Sequence, residues 1–152
     1  MSIVIREAQA SDVIAVAELF DLYRQFYEQP ANRDLAEKFI FNRLINHESV
    51  ILVAESTSSS LFGFCQLYPT FCSIDAKPIY LLYDLFVLHS ARKSGVGRML
   101  LLAAEAKACR EGKVRLDLTT ARTNQSAQSL YESLGWIRDD IFFAYSRQIT
   151  SV

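Results

Sequence analysis

The sequence contains few of the residues that build metal centres or disulfide frameworks. It has three cysteines, Cys65, Cys72 and Cys109, and two histidines, His47 and His89, among 152 residues. No two cysteines form a CxxC pair, so a structural zinc site is not expected. An odd, sparse cysteine count also argues against a secreted disulfide scaffold. We therefore expect no metal, and we interpret the three thiols as small buried apolar side chains.

The chain also lacks a surplus of positive charge and a long apolar run. Lys and Arg total 16 against 17 for Asp and Glu, which gives a formal net charge of −1. A protein that neutralises nucleic-acid phosphates normally carries a basic surplus. The longest apolar stretch, residues 79–88, is interrupted by Asp84 and is far shorter than the ~18 residues of a membrane span. We expect a cytoplasmic protein that binds neither nucleic acid nor membrane.

What is present is the composition of an ordinary globular domain. Hydrophobic residues make up 51% of the chain and charged residues 22%. A chain of this length buries about 70% of its unfolded surface on folding, so it needs no disulfide bonds or metal ions to stabilise its core. We expect one domain over residues 1–152.

Hydrophobic periodicity predicts alternating strands and helices. The predicted strands cover residues 3–5, 50–54, 61–71, 79–88, 114–118 and 141–148. The first predicted helix is capped by Ser11 or Asp12 and has an apolar face from Val13 to Tyr27. The second is opened by Asp34 with Glu37 and ends near Ile45. The third covers residues 98–110 and is closed by Gly112, and the fourth is capped by Asn124 and ended by Gly135. The order β-α-α-β-β-β-α-β-α-β predicts a mixed α/β or α+β sheet with helices on its faces.

A glycine-bearing loop joins the strongest strand to the third helix. It has the sequence Arg92-Lys93-Ser94-Gly95-Val96-Gly97-Arg98. A helix start offers unpaired N–H groups and a positive dipole end, and glycine lets a ligand approach the backbone. The loop is therefore a candidate phosphate or pyrophosphate cradle, although a tight turn alone would also need glycine.

Two nucleotide-binding patterns fit this loop poorly. No GxxxxGK[ST] string exists, so a P-loop is excluded. The GxGxxG pattern of dinucleotide folds begins at Gly95 and Gly97, but Leu100 stands at the third glycine position. Asp117 lies at the expected distance for the acidic residue, but it falls within a predicted strand and not at the strand's carboxyl end.

The loop is followed by a helix, a strand and the segment Asn124-x-x-Ala127-x-x-Leu130-Tyr131-x-x-Leu134-Gly135-Trp136. Together, residues 80–136 closely resemble the GNAT superfamily of acetyl-CoA-dependent N-acetyltransferases. The resemblance implies a mostly antiparallel, twisted central sheet flanked by helices, with a splayed strand pair that holds acetyl-CoA. Two positions depart from the family pattern, because Lys93 replaces a frequent glycine and His89 a common proline.

The resemblance also assigns cofactor contacts by position. The strand residues Leu85, Phe86 and Val87 would face the cofactor, with main-chain groups of Leu85 and Val87 pairing with the pantetheine arm. Residues 92–98, quoted above, would wrap the pyrophosphate, chiefly through main-chain N–H groups. Asn124 would contact the cofactor arm, and Tyr131 would lie near the sulfur.

The implied reaction is direct attack of a primary amine on the acetyl thioester. A strand N–H near Phe86 or Val87 would stabilise the developing oxyanion. Tyr131 is our candidate proton donor to the leaving thiolate, although its helical spacing also fits a core residue. A base is needed because an amine of pKa ~10.4 is almost wholly protonated at pH 7. The glutamate of related sequences is replaced by Tyr83, so Asp84 is the nearest carboxylate, although it also fits a structural role in which it pairs with a neighbouring helix or loop. Adjacent strand residues face opposite ways, so we expect only one of the two to face the cleft.

The acceptor side is predicted to involve Tyr23, Phe26, Tyr27 and Glu28, with Glu28 also a weaker candidate base. Aromatic and acidic side chains suit a cationic amine, whether a small molecule or a protein lysine. The same aromatics also fit a core role. A homodimer is one arrangement that an edge strand over residues 141–148 would permit.

Two other functions stay open alongside an active N-acetyltransferase. One is a non-catalytic acyl-CoA-binding or regulatory module of the same fold, and the other is a dinucleotide-binding oxidoreductase. A preference for a nicotinamide cofactor over acetyl-CoA would identify the oxidoreductase.

A Tyr131→Phe variant separates a catalyst from a binding module. We expect the variant to lose turnover while it keeps its affinity for acetyl-CoA, because only the phenol O–H is removed. Turnover is measured as amine acetylation and affinity by calorimetry. Acetylation as fast as in the wild type would show that Tyr131 is not the general acid.

Overall fold

The computed structural model describes residues 2–151 and divides them into two compact units, the first ending at Thr119 and the second beginning at Thr120. The first unit contains five strands and three α-helices among the described residues. Its strands are β1 (Ile3–Glu7), β2 (Val50–Ser56), β3 (Leu61–Cys72), β4 (Lys77–Val87) and β5 (Leu116–Asp117), and its helices are α1 (Val13–Phe26), α2 (Arg33–Ile45) and α3 (Val96–Arg110). The second unit contains α4 (Gln125–Ser133).

The sheet has the order β1-β2-β3-β4-β5. Neighbours from β1 to β4 pair antiparallel, and β5 pairs parallel with β4. The expectation of a mixed, mostly antiparallel sheet flanked by helices is confirmed. The single-domain expectation stays a prediction.

A hydrophobic core lies between the sheet and the helices α1 and α2. Val16 and Phe20 of α1 and Ile40 of α2 pack there against Phe64 of β3 and Phe86 of β4. These apolar residues recur at helical or strand spacing, which is why one face of each element is buried. The packing fixes α1 over the carboxyl-terminal half of β4.

The helix ends follow local chemistry. Asn32, not Asp34, caps α2, since its Oδ1 accepts the Leu35 N–H at 3.1 Å. Asp12 precedes α1 without capping it, because its carboxylate is held by the Arg6 guanidinium at 2.8 and 2.9 Å. Gly112, with φ +73°, ends α3 as predicted.

Two sequence-based expectations are wrong. Residues 141–148 form no strand, and Ile141, Phe143 and Tyr145 are exposed. A strand needs a partner's main-chain groups, which local propensity cannot supply; the N–H of Ile141 instead bonds the Asp139 carboxylate at 3.0 Å. The proposed edge for a homodimer therefore has no counterpart in this segment. Of the three thiols only Cys65 is buried, whereas Cys109, on the outer face of α3, is exposed.

Gly63 marks a close approach of two strands. It lies opposite Val87, next to the point where the β2–β3 register shifts by one residue. A Cβ at this position would lie 2.8 Å from the Phe86 carbonyl oxygen, which is too close for any side chain. Glycine here lets β3 lie against the end of β4 that borders the candidate site.

Gly63→Ala should therefore destabilise the protein by about 1–3 kcal/mol, because a backbone carbonyl cannot move aside as a flexible side chain can. At this chain length the melting temperature should fall by roughly 3–10 °C, measured by thermal denaturation. A melting temperature equal to that of the wild type would show that β4 yields freely at Phe86.

Candidate functional site

The sheet opens between β4 and β5. The two strands pair only at Tyr80 with Leu116 and at Leu81 with Asp117. β4 continues to Val87, six residues beyond the last pair. Its carboxyl-terminal half therefore borders a gap in the sheet, as the resemblance implied.

The main-chain groups of Leu85 and Val87 point into this gap. The N–H of Leu88 donates to the Phe62 carbonyl at 2.8 Å, so Leu88 and Phe62 form a hydrogen-bonded pair. Antiparallel pairing alternates, so Phe86 is directed toward β3, whereas Leu85 and Val87 are directed away from it. An extended ligand in the gap would meet the polar groups of these two residues.

The glycine-bearing loop follows directly and forms the start of α3. Gly95 lies before the helix in the left-handed region, with φ +88°, and its carbonyl accepts the Met99 N–H at 3.0 Å. The N–H groups of the first turn precede that bond and have no intrahelical partner. Lys93 also has a positive φ, +62°, which explains why glycine suits this position in related proteins. The loop thus presents main-chain N–H groups at a positive helix end.

The Arg92 side chain also contacts residues outside the loop. Its Nε donates to the Val87 carbonyl at 2.9 Å. Its guanidinium also lies 5.7 Å from the ring centre of Phe26 and 5.6 Å from that of Phe86. The side chain therefore joins the end of α1 to the end of β4 through cation–π contacts and one hydrogen bond. A contact of this guanidinium with the pyrophosphate stays a prediction.

A β-bulge in β4 decides where the two candidate bases point. Asp84 pairs with Gln66 and Leu82 with Leu67, which leaves Tyr83 as the extra residue. The Tyr83 ring meets the Tyr68 ring at 5.6 Å, and Asp84 bonds Gln66. Because residues two apart on β3 share a face, Tyr83 and Asp84 lie on the same face of the sheet. Regular alternation stops at the bulge, and which of the two side chains faces the cleft stays a prediction.

Asp84 is a buried carboxyl group, with 4% of the residue exposed. Its Oδ2 accepts a hydrogen bond of 2.5 Å from Nε2 of Gln66, and its carboxyl group also interacts with the Tyr23 hydroxyl. Burial raises the pKa of Asp84 above its usual range, and the hydrogen bonds from Gln66 and Tyr23 partly offset this rise. A carboxylate with a raised pKa is suited to accept a proton near neutral pH.

The predicted acceptor residues differ in how deeply they are buried. The Tyr23 ring packs in the core against Phe64 and Phe86, and its hydroxyl donates to the Tyr83 carbonyl at 3.4 Å. Phe26 and Tyr27 are exposed at the end of α1. Glu28 is exposed just beyond α1. The core interpretation of Tyr23 is therefore confirmed, and its role toward an acceptor stays a prediction.

Sequence reasoning missed Gln66, Ser49 and Tyr68. Each lies on the same side of the sheet as Asp84 or bonds a residue that does. A single signal was available: Gln66 is a polar residue within the apolar strand pattern of residues 61–68. Its partner could be found only from the strand register.

Asn124 and Tyr131 belong to the second unit. The Asn124 Oδ1 accepts the Ala127 N–H at 3.2 Å and so caps α4 as predicted. Tyr131 is half-buried, with its ring centre 6.0 Å from that of Trp136. Their roles toward a cofactor stay predictions.

The site carries no metal-binding cluster among residues 2–151. Within that range no group of three His, Cys, Asp or Glu side chains could hold a metal ion. In the same part of the chain, no helix combines the length and apolar character that a bilayer crossing requires.

A mixed sheet that opens between β4 and β5, with the start of α3 after β4, is the arrangement that the resemblance to the GNAT superfamily implied. Residues 16–136 match the model of the acetyltransferase (GNAT) family. This chain belongs to that family, and it is an acyltransferase.

Known relatives agree with this assignment. The uncharacterized N-acetyltransferase YhfO of Bacillus subtilis (strain 168) is 48% identical over 141 residues, which cover 93% of this chain and 94% of that protein. The crystal structure of a probable acetyltransferase superposes with a TM-score of 0.90 at 36% identity, covering 99% of both chains. AAC(6')-Iy, solved with the bisubstrate analog CoA-S-monomethyl-acetylneamine, has a TM-score of 0.82 at 18% identity, covering 98% of this chain and 100% of that one, and shows a shared fold.

Asp84→Asn should raise stability at neutral pH. The pKa of Asp84 is raised by folding, so its ionised form opposes folding, and wild-type stability falls as pH rises from about 4 through the folded-state pKa. The advantage of the variant should therefore widen over that pH interval. It is measured as the difference in unfolding free energy at several pH values.

Asp12→Asn provides the matched contrast. Arg6 lowers the pKa of Asp12, so that ionised carboxylate supports folding, and its stabilisation is lost as pH falls through the lowered pKa. The Asp12 variant should be less stable than the wild type at pH 7. Equal effects of the two substitutions would contradict the assigned environment of Asp84.

Proposed function

We propose that this protein transfers an acetyl group from acetyl-CoA to a primary amine by direct attack in a ternary complex. The proposal rests chiefly on one observation. A buried carboxyl group of raised pKa, Asp84, lies one residue before Leu85, where β4 begins to direct main-chain groups into the gap in the sheet.

The residues present fit acetyl-CoA. The pantetheine arm would lie along β4 and pair with the main chain of Leu85 and Val87. The pyrophosphate would be held by N–H groups of the loop and of the first turn of α3, from Gly95 to Arg98. Bound acetyl-CoA supplies the activated acetyl thioester.

Asp84 is the proposed general base. A lysine-like ammonium has a pKa of ~10.4 and must lose a proton before it can attack. Asp84 accepts that proton directly or through one water. Its position on the same face as Tyr83 and beside Tyr23 puts the base against an aromatic surface suited to an organic cation. Tyr83 is proposed to contact the acceptor.

Two further groups complete the proposed chemistry. The N–H of Val87 stabilises the developing oxyanion, since alternation commits the N–H of Phe86 to β3. Tyr131 donates a proton to the leaving thiolate, whose reference pKa is ~8.5.

Acidic and aromatic side chains narrow the class of amine that we expect as acceptor. Asp84, exposed Glu28 and the rings of Phe26 and Tyr27 favour a cationic primary amine. The bisubstrate analog bound to AAC(6')-Iy joins CoA to an acetylneamine, which is a ligand of that protein. We therefore include aminoglycosides in the panel of acceptors to be tested, beside polyamines, amino acids and lysine peptides. The identity of only 18% gives aminoglycosides no priority over the other amines.

The test is thiol release from acetyl-CoA across that panel, with a no-amine control. We expect release stimulated by one amine class and a 10²- to 10⁴-fold lower kcat in Asp84→Asn, about the range that general base catalysis contributes. Acetyl-CoA should raise the melting temperature of both proteins, because the variant leaves the gap and the loop intact.

Gly97→Trp is the control for the cofactor site. An indole in the first turn of α3 would block the loop, so this variant should show no thermal shift with acetyl-CoA. An unchanged shift would reject the assigned loop. Cofactor binding without release for any amine would favour the non-catalytic module.

A further inference from the structure

A buried polar chain connects the candidate base to the start of β2. Ser49, half-buried just before β2, donates its hydroxyl to Oε1 of Gln66 at 2.7 Å. Gln66 is fully buried on β3, and its Nε2 donates to Oδ2 of Asp84 at 2.5 Å. Three residues from three segments of the chain thus form one hydrogen-bonded line that ends on the carboxylate.

The order of donors and acceptors in this line gives it a direction. An amide has a donor end and an acceptor end. With the Ser49 hydroxyl on the oxygen of Gln66, the amide nitrogen faces Asp84 and stabilises the ionised carboxylate. The reversed amide would place its oxygen against that carboxylate and raise the free energy of the charged form.

We propose that Ser49 and Gln66 are positioning residues that orient the Asp84 carboxylate and favour its ionised form, and so set the pH range in which the enzyme accepts a proton from its acceptor. This inference rests on the proposed role of Asp84. Neither residue reaches the gap in the sheet, so both act through Asp84.

Other titratable groups also lie around Asp84, and the Tyr23 hydroxyl is a second interaction that favours its ionised form. Tyr23 faces it from α1, Tyr68 from β3 and Tyr83 from β4 itself, whereas Cys65, the β3 residue next to Gln66, lies on the opposite face of the sheet. Burial raises the pKa of Tyr23 well above its usual range and that of both Cys65 and Tyr68 to about 12.

The nearest charges act on Tyr68 and not on the carboxyl group. Arg43 of α2 and Glu48, which follows that helix, influence the Tyr68 phenol with opposite signs. Arg43 and Glu48 also pair with each other at 3.0 Å. Burial is the largest influence on how readily Asp84 ionises, and the Gln66 amide is the larger of the two side-chain interactions that offset it.

The test compares the pH dependence of kcat/KM in Gln66→Met, Ser49→Ala and Ser49→Thr. Gln66→Met keeps the chain length but removes the donor, so the acidic limb should move up by about one pH unit, the size expected for one hydrogen bond to a charged group. Ser49→Ala should give a smaller shift in the same direction. Ser49→Thr retains the hydroxyl and should return the limb toward that of the wild type.

Ser58→Ala is the matched control. Its hydroxyl meets that of Ser56, the last residue of β2, at 2.9 Å, at the turn that leads to β3. It should leave the acidic limb in place. If the Gln66 and Ser49 variants also leave the limb in place and change only the melting temperature, the chain is structural and the inference is wrong.

A second readout does not depend on turnover. The carboxyl carbon of Asp84, followed by carbon-13 NMR in substrate-free protein, should titrate at higher pH in Gln66→Met than in the wild type. If Asp84→Asn retains full activity while this shift is observed, the base assignment fails and the positioning chain stands. If Asp84→Asn is inactive and no shift is observed, the base assignment stands and the positioning role of Ser49 and Gln66 is wrong.

Discussion

The single extra residue in β4 is the constraint on which the site depends. An antiparallel strand without a bulge would continue to turn alternate side chains toward opposite faces. Here Tyr80 and Leu82 precede the bulge, and the register shift at Tyr83 brings Asp84 and Phe86 onto the face covered by α1 and α2. The same strand therefore supplies a core residue, a buried carboxyl group and main-chain groups directed into the gap, all within a few positions.

The buried carboxyl group of the site lowers the stability of the folded protein, and the hydrogen bonds around it limit this loss. Burying a carboxylate opposes folding unless hydrogen bonds compensate. Gln66 and Tyr23 provide part of that compensation at Asp84. The contrast with Asp12, whose ion pair with Arg6 favours folding, shows two carboxylates of one chain under opposite influences. Buried polar groups retained in this way are typical of a site under functional demand.

Much of the fold and part of the site were predictable because their causes are local. Periodic apolar residues indicated α1, α3 and the strands, and Gly112 marked the end of α3 correctly, whereas α3 begins at Val96, two residues before its predicted start. Residues 141–148 were mispredicted for the complementary reason: an apolar alternating segment forms a strand only where another strand meets it. The cap of α2 was misplaced by two residues, since Asn32 and Asp34 are both good capping residues.

The family, the loop before α3 and the identity of the carboxylate nearest to that loop follow from the amino-acid order alone, since they depend on residue types at short, fixed spacings. The direction of that carboxylate and its contacts arise only in the folded chain. Ser49 and Gln66 are 17 residues apart, and Gln66 and Asp84 are 18 apart, so their contact exists only through strand register. Register depends on the whole sheet and on one bulge, and no local pattern in the chain encodes either.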